Sequence, residues 1–408
     1  MKEKSSLPLL NFLTQTQQIM LKSSHIKIMI SLIIYSRNNM NLQLTWIIFC
    51  IISASFIFGF RNNSFEKNRN YNIDGLRYLL AAFVAFHHNS YSEFFFETGL
   101  WKITDTSIGY IGTFGVAVFF MITGYLFGDI SYQSDWKVFF IKRILRILPM
   151  CYVSSIICIA MAALFNTDPI NTSHIDILYW FDGGITGIKP DLFGNDHTNL
   201  INAGVTWSLY WEWAFYFTLP LLSFLFKKQY TVGICITVLA LLMNLLPLLK
   251  IPTYNISFLM FFAMGILIKN LNIKITNKNI QVKNFLAISI LVYCIFFSEK
   301  TSAYNFYSCF LIGVFFILIV SGADFFGLLT SQGFLKLGDA SYSIYLIHGI
   351  GWYIMNKIVF HYNIQENKFL YYLVQTITWY VICYSSLLTY RYIENPFINL
   401  GRKISKKI

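Results

Sequence analysis

Charged residues are scarce in this sequence. Only 12% of its 408 residues are charged, while 56% are hydrophobic and 18% are aromatic. A soluble domain of ordinary composition is about a quarter charged, so the scarcity excludes an ordinary soluble protein. The composition predicts an all-α fold, a polytopic membrane helix bundle.

The sequence also lacks any CxxC pair, and its cysteines do not cluster in loops. Paired cysteines of those kinds are typical of disulfide frameworks and metal sites, so neither is expected, and no metal site is predicted. All seven cysteines lie inside apolar runs, where they are expected to serve as packing residues; they are Cys50, Cys151, Cys158, Cys235, Cys294, Cys309 and Cys383.

An excess of basic residues gives the chain a formal charge of +12. These residues stand in short clusters between apolar runs and do not form one basic face, which argues against a nucleic-acid partner. Lys and Arg concentrate in alternate connecting segments, which are expected to be cytoplasmic. The helix carrying Arg77 then starts at the cytoplasmic side, and the C-terminus is cytoplasmic.

Apolar runs divide the chain into its predicted parts. Residues 1–43 receive no structural assignment, and residues 44–60 are predicted to form an extra anchor helix, since no clear signal-peptide cleavage site follows them. A linker over 61–71 leads into a membrane domain over 72–397, followed by a basic tail over 398–408. Ten core transmembrane helices are predicted, at roughly 72–92, 109–128, 147–165, 207–226, 231–249, 254–271, 284–298, 303–322, 341–360 and 369–390.

The stretch from Asn72 to Ser90 carries two ionisable side chains within an apolar helix. Arg77 and His88 are eleven residues apart, which puts them within roughly 20° on one helical face and about 16 Å apart along the axis. His87 falls off that face, and Asp74 is the predicted N-cap of a helix beginning at about Gly75. Such costly groups inside a membrane helix predict function.

Three further segments carry candidate site residues. In FFIKRILRILP, Arg143 and Arg146 share a helical face, either as a phosphate clamp or as topology and headgroup anchors. Glu212 in WSLYWEWAFYFTLP pairs with Arg77, orients His88, carries a proton, or forms a structural ion pair.

GDASYSIYLIHGIGW places Ser341, Tyr345 and His348 on one face, with Trp352 a turn further. This polar stripe predicts a helix facing a cavity. A long, acidic connection from Asn166 to Val205 is either an external, substrate-facing lid or a solvated loop.

The order of these motifs, with GVAVFFMITGYL and a late RYIENPF, resembles the acyltransferase-3 family of membrane acyltransferases over roughly Asn72 to Phe397. The resemblance implies ten membrane helices that transfer an acyl group, commonly acetyl, from cytosolic acyl-CoA to a hydroxyl of an extracytoplasmic acceptor. That acceptor is a surface polysaccharide or its lipid-linked precursor, and the expected location is the bacterial inner membrane. Acyl-CoA is a donor substrate, no bound cofactor is expected, and membrane lipids are the remaining partners.

The resemblance also suggests roles for individual residues. It assigns catalysis to His88, Arg77 and Glu212, with His88 as general base or transient acyl carrier. The predicted substrate-binding residues are Arg143, Arg146, Trp207, Ser341, Tyr345 and His348. The sequence departs from the family pattern at Ala117, where Asp is frequent, and at Thr123, where Ser is common.

Two other functional classes stay open at this point. A transporter or flippase would also place Arg, Glu and His inside a bundle, although no inverted repeat is evident. A lipid-binding or sensory protein of the same fold is the second class. Other acyl-transfer signatures are missing, because there is no GxSxG motif and the residue five after His88 is Glu93, not Asp.

Overall fold

The described part of the chain folds into α-helices, with no β-strand among its residues. This computed structural model describes residues 42–59, 69–103, 105–129, 133–165, 173–225, 253–276, 278–297 and 302–406. The prediction of an all-α helical bundle is therefore confirmed for these residues. The predicted span over 231–249 lies outside them.

Most of the predicted apolar runs are helices, some with different ends. In chain order the α-helices are α1 Leu42–Phe58, α2 Tyr71–Thr98, α3 Thr106–Phe127, α4 Trp136–Leu164, α5 His174–Tyr179, α6 Trp207–Leu225, α7 Thr253–Asn270, α8 Ile280–Phe296, α9 Phe306–Val320, α10 Gln332–Asp339, α11 Ser341–His361, α12 Lys368–Thr389 and α13 Asn395–Ile404. The largest difference is at α4, which starts at Trp136 and not at residue 147, because the Asp135 side chain caps it by accepting a hydrogen bond from the Val138 amide (3.0 Å).

Two of the described helices, α3 and α4, are long and apolar enough to cross a membrane. The other apolar helices are shorter, or carry more polar residues, than that criterion allows. The count of ten membrane helices stays a prediction.

Helix α2 lies at the centre of the unit formed by the residues from Cys50 onward, packed against α3, α10 and α11. Its N-cap is Asn70, whose side chain accepts a hydrogen bond from the Ile73 amide (3.4 Å). The expectation that Asp74 caps this helix is wrong. Asp74 lies in the first turn, where its carboxylate pairs with Arg69 (2.5 Å). Its negative charge there also interacts favourably with the positive end of the helix dipole.

Close packing of α3 against α7 depends on glycine. A methyl group added at Gly124 of α3 would overlap the backbone of Phe262 in α7, and one at Gly265 of α7 would overlap that of Met121. The two helices therefore approach backbone to backbone, as small residues allow in membrane bundles.

The second half of α1 packs into the same unit. The hydroxyl of Tyr78, which is fully buried, donates a hydrogen bond to the carbonyl of Ile51 (2.9 Å). A methyl group at Gly333 of α10 would overlap the backbone of Ser55. The predicted anchor helix is thus in close contact with the bundle from Cys50 onward.

The end of the chain continues without a break from α12 through a π-helical segment, Tyr390–Glu394, into α13. Helix α13 packs along α4, with Gly401 close to Leu145 and Lys142. The basic tail predicted from residue 398 therefore begins inside a helix.

The cysteines within the described residues are buried and unbridged. Their burial agrees with the predicted packing role. Cys235 lies outside the described residues.

Candidate active site

Three cavities lie in the bundle, and neighbouring cavities share lining residues. The basic cavity lies against Arg69, Lys142 and Arg402; the central cavity contains Glu212; and the histidine cavity contains His88. Arg77, Arg143 and Arg146 line both the basic and the central cavity, while Val116 lines both the central and the histidine cavity. Cationic groups therefore line one end of this series of cavities, and histidines line the other end.

A pair of buried histidines lies beside the histidine cavity. His88 Nδ1 is 2.9 Å from Nε2 of His348, and the two ring planes are within 9° of each other. His348 is fully buried, and its Nδ1 is 3.0 Å from the carbonyl oxygen of Ile344. Helices α2 and α11 thus bring together two residues 260 positions apart.

These contacts determine the tautomers of the neutral histidines. A carbonyl oxygen can only accept, so His348 carries its proton on Nδ1 and presents a lone pair on Nε2. His88 must then donate from its Nδ1, which leaves a lone pair on its own Nε2. The Nε2 atom of His88 is therefore free to accept a proton from a molecule in the cavity.

His87 is held separately from this pair. Its Nδ1 is 3.0 Å from the carbonyl oxygen of Ile108 in α3, and its ring fills the space that a side chain at Gly112 would occupy. Both His87 and His88 line the histidine cavity. Of the two, His88 is the one that forms a hydrogen bond with another histidine among the described residues, because His87 contacts a backbone carbonyl.

Glu212 lies in the central cavity and accepts a hydrogen bond from the Tyr216 hydroxyl one helical turn away. Among the described residues it forms no ion pair, which argues against a purely structural bridge to Arg77. It does not reach His88 either, because the orienting contact of His88 comes from His348. The remaining predicted role, that of a proton carrier, stays a prediction.

The polar stripe of α11 divides between the site and the core. Ser341 and Tyr345 line the central cavity, where the Tyr345 hydroxyl is 2.7 Å from Ser208 Oγ. His348 instead holds His88. Trp352, the next residue on this face, is fully buried against Trp379 and belongs to the core.

The two arginines of α4 have different environments. Arg146 pairs with Glu394, which is 1% exposed and also accepts a hydrogen bond from Ser343 Oγ (2.8 Å). Arg143 forms no ion pair among the described residues, stacks over the Phe127 ring at 4.9 Å and has a buried Nε without a partner. Sequence spacing predicts that Arg143 and Arg146 act together as one phosphate clamp. Of these two, Arg143 alone has no ion pair with another described residue.

The predicted lid lies against the histidine cavity in its described part, residues 173–205. Lys189 lines the cavity, and its ammonium group binds Asp182 (2.5 Å) and the Tyr179 carbonyl (2.6 Å). Partial burial raises the pKa of Asp182, but hydrogen bonds from Lys189, Thr186 and Gly184 outweigh it and lower that pKa below its ordinary value. The loop is therefore a structured wall of the cavity.

Aromatic side chains complete that wall. Tyr91 and Trp101 stack with ring centroids 5.3 Å apart, and both line the histidine cavity with Trp207 and Tyr304. Of these four aromatic residues, only Trp207 was among the predicted substrate-binding residues. The other three lie outside the quoted motifs or on a connecting loop, where no spacing points to the cavity.

Glu394 was also not among the residues that the sequence predicted for the site. It stands inside the quoted RYIENPF motif, and a carboxylate at the end of an apolar run was the available signal. Among the described residues, no group of three or more His, Cys, Asp or Glu could hold a metal ion.

Comparison with known proteins identifies related chains. A family model described as an acyltransferase domain matches residues 70–389. Nodulation protein 10 of Rhizobium leguminosarum bv. viciae is 32% identical over 141 residues, which cover 31% of this chain and 38% of that protein. The putative peptidoglycan O-acetyltransferase YrhL of Bacillus subtilis (strain 168) is 25% identical over 348 residues, which cover 73% of this chain and 52% of that protein. The chain thus spans about half or less of these relatives, and no solved structure matches it.

Proposed function

Because this chain belongs to the acyltransferase-3 family, with the family model matching residues 70–389, we propose that it moves an acyl group, commonly acetyl, from cytosolic acyl-CoA to a hydroxyl of an extracytoplasmic glycan. The family match confirms the resemblance seen in the motifs and makes the chain an acyltransferase. The donor, the acceptor and the bacterial inner-membrane location are the proposed parts.

The observation that carries the proposal is the orientation of His88. Its Nδ1 is committed to His348 (2.9 Å), so its Nε2 is available as a base beside the histidine cavity, which shares Val116 with the central cavity. Positive-inside counting makes the basic cavity cytoplasmic and the histidine cavity external. The donor and the acceptor would then meet at His88 from opposite sides.

The chemistry follows from that arrangement. The acceptor hydroxyl loses its proton to His88 Nε2 as its oxygen attacks the acyl carbonyl. The carbon–sulfur bond of the thioester breaks, and the thiolate of CoA takes the proton from His88. No net proton is gained or lost, and no covalent acyl-histidine is needed.

Arg77 binds the donor in this proposal. It lines the basic and central cavities but not the histidine cavity, and its spacing from His88 corresponds to about 16 Å along α2. Its Nε is buried and has no hydrogen-bond partner among the residues that the structure describes. A guanidinium there suits the donor's phosphates better than an oxyanion at His88, and Glu212 would face the donor's pantetheine arm.

The lining of the histidine cavity supports a sugar acceptor. Sugar rings stack their apolar faces on aromatic side chains, and Tyr91, Trp101, Trp207 and Tyr304 offer such faces beside polar groups. The Bacillus subtilis relative is named as a putative peptidoglycan O-acetyltransferase, which supports a cell-surface glycan or its lipid-linked precursor.

Replacing His88 with Ala tests the proposal. The variant should lose acyl transfer by about 10²- to 10⁴-fold while remaining folded and inserted in the membrane. Labelled acetyl-CoA supplied to membranes, with mass spectrometry of surface polysaccharide, measures the transfer. Near-normal acylation by this variant would contradict the proposal.

A row of cavities lined by ionisable groups is also what a transporter would have. A transporter or flippase using Arg77, Glu212 and His88 would carry an unmodified substrate across the bilayer. The same assay separates the two functions, because label in the glycan supports the acyltransferase and unmodified substrate on the far side supports transport.

A further inference from the structure

The basic cavity contains more positive charge than the protein itself neutralises. Among the described residues, six basic and two acidic side chains line it. Both acidic groups, Asp74 and Asp339, bind Arg69, and Arg146 is bound by Glu394. Four cations at this cavity have no ion pair among the described residues; they are Arg77, Lys142, Arg143 and Arg402.

One of these cations comes from α13, beyond the region that the family model matches. Helix α13 packs on α4 so closely that a methyl group at Gly401 would lie 3.8 Å from the Cα atom of Lys142. This contact places Arg402 and Lys142 at one edge of the cavity. Within the described part of the chain, the Arg402 guanidinium donates one hydrogen bond, to Asn399 Oδ1 (3.5 Å).

The four cations differ in depth. Arg77 and Arg143 also line the central cavity, whereas Lys142 and Arg402 line the basic cavity alone. A ligand that fits this order has one anionic group deep and another at the mouth. The nucleotide of CoA has that form, with a pyrophosphate next to the pantetheine arm and a 3′-phosphate further out, together about four negative charges.

We propose that α13 forms the outer part of the donor site and that Arg402, with Lys142, binds the 3′-phosphate of the acyl-CoA nucleotide. The deeper Arg77 and Arg143 then bind the pyrophosphate. This inference rests on the proposed use of acyl-CoA as donor. It assigns discrimination between CoA and 3′-dephospho-CoA thioesters to a helix outside the matched family region.

Binding measurements test this assignment without knowledge of the acceptor. The full chain in phosphatidylcholine nanodiscs is titrated with acetyl-CoA and with acetyl-3′-dephospho-CoA. We expect acetyl-CoA to bind about tenfold more tightly, the effect of one charge-assisted contact at a partly exposed site. Arg402→Gln should remove that preference by weakening acetyl-CoA alone, and Lys142→Gln should reduce it.

Lys403→Gln is the matched control. Lys403 lies next to Arg402 on α13, is exposed and does not line the cavity, so this variant should keep the preference of the parent chain. An Arg402→Gln variant that keeps the full preference would overturn the assignment while leaving acyl-CoA as the donor.

Two further outcomes also overturn it. Equal binding of both thioesters by the parent chain refutes the 3′-phosphate contact only, whereas binding of neither refutes the proposed donor as well. Anionic lipid headgroups are the alternative occupant of these cations. Phosphatidylglycerol added to the nanodiscs tests this occupant. The cavity edge is a headgroup site if the lipid weakens the binding of both thioesters equally, if Arg402→Gln removes that weakening, and if the parent chain shows no preference without the lipid.

Discussion

The hydrogen bond between His88 and His348 gives the sharpest prediction. Leucine at position 348 is apolar and leaves the Nδ1 proton of His88 without its acceptor. The lost contact to a buried group corresponds to about 1–3 kcal/mol. If that energy holds His88 in the reactive tautomer, His348→Leu should lower kcat by about 5- to 150-fold.

Glutamine at the same position distinguishes orientation from packing. Its side-chain amide reaches the place of the His348 Nε2 atom and offers an oxygen that can accept the His88 proton. His348→Gln should therefore keep most of the activity, while KM for acetyl-CoA should stay unchanged in both variants because His348 lines none of the three cavities described.

The assay follows thiol release from acetyl-CoA in membranes that contain equal amounts of each variant. His361→Gln, an exposed position on the same helix α11, is the matched control and should behave as the parent chain. Equal losses in the Leu and Gln variants, or normal activity in His348→Leu, would refute the orienting role of His348.

Three other predictions concern the two arginines of α4, the packing of α7 against α3, and the loop over 173–205. Arg143→Gln should raise KM for acetyl-CoA with little change in melting temperature. Arg146→Gln should also destabilise the protein by about 3–5 kcal/mol, because it leaves the Glu394 carboxylate buried and unpaired. Thermal unfolding in detergent, together with donor kinetics, separates the two variants. Gly265→Ala should force α7 away from α3 and lower the melting temperature, and an unchanged value would contradict the backbone contact. Hydrogen bonds lower the pKa of Asp182, so its contribution to the stability of the loop over 173–205 is present above the ordinary Asp pKa and is lost as pH falls through the lower folded-state pKa. Limited proteolysis of this loop should therefore increase only in acid for the parent chain, and already at neutral pH for Asp182→Asn.

Local sequence patterns predicted the helices well because apolar runs and helical periodicity are properties of neighbouring residues. They predicted the start of α2 less well. Asp74 and Asn70 are both acceptable N-caps, and the choice depends on Arg69, which draws Asp74 into an ion pair (2.5 Å). Arg69 also binds Asp339, 270 residues further along the chain, and a local sequence pattern does not contain this tertiary contact.

The sequence indicated which helical faces carry polar groups but not which of these groups pair with each other. Spacing placed Arg77 and His88 on one face of α2, and His348 on the face of another helix. Nothing local indicated that His348 would bind His88, or that Glu394 would neutralise Arg146 across 248 residues. Those pairings assign different tasks to residues that look equivalent in the sequence, as Arg143 and Arg146 do.

The contact between α1 and the bundle bears on how such chains can be recombined. The family-matched segment begins at residue 70, yet Tyr78 inside it relies on the carbonyl of Ile51 (2.9 Å), and Lys336 on that of Phe58 (2.9 Å). A chimera cut at the family boundary would leave the buried Tyr78 hydroxyl unpaired, at a cost of about 1–3 kcal/mol. Exchange of acyltransferase domains between relatives should therefore be made upstream of Cys50, so that the inherited segment and the folding unit coincide.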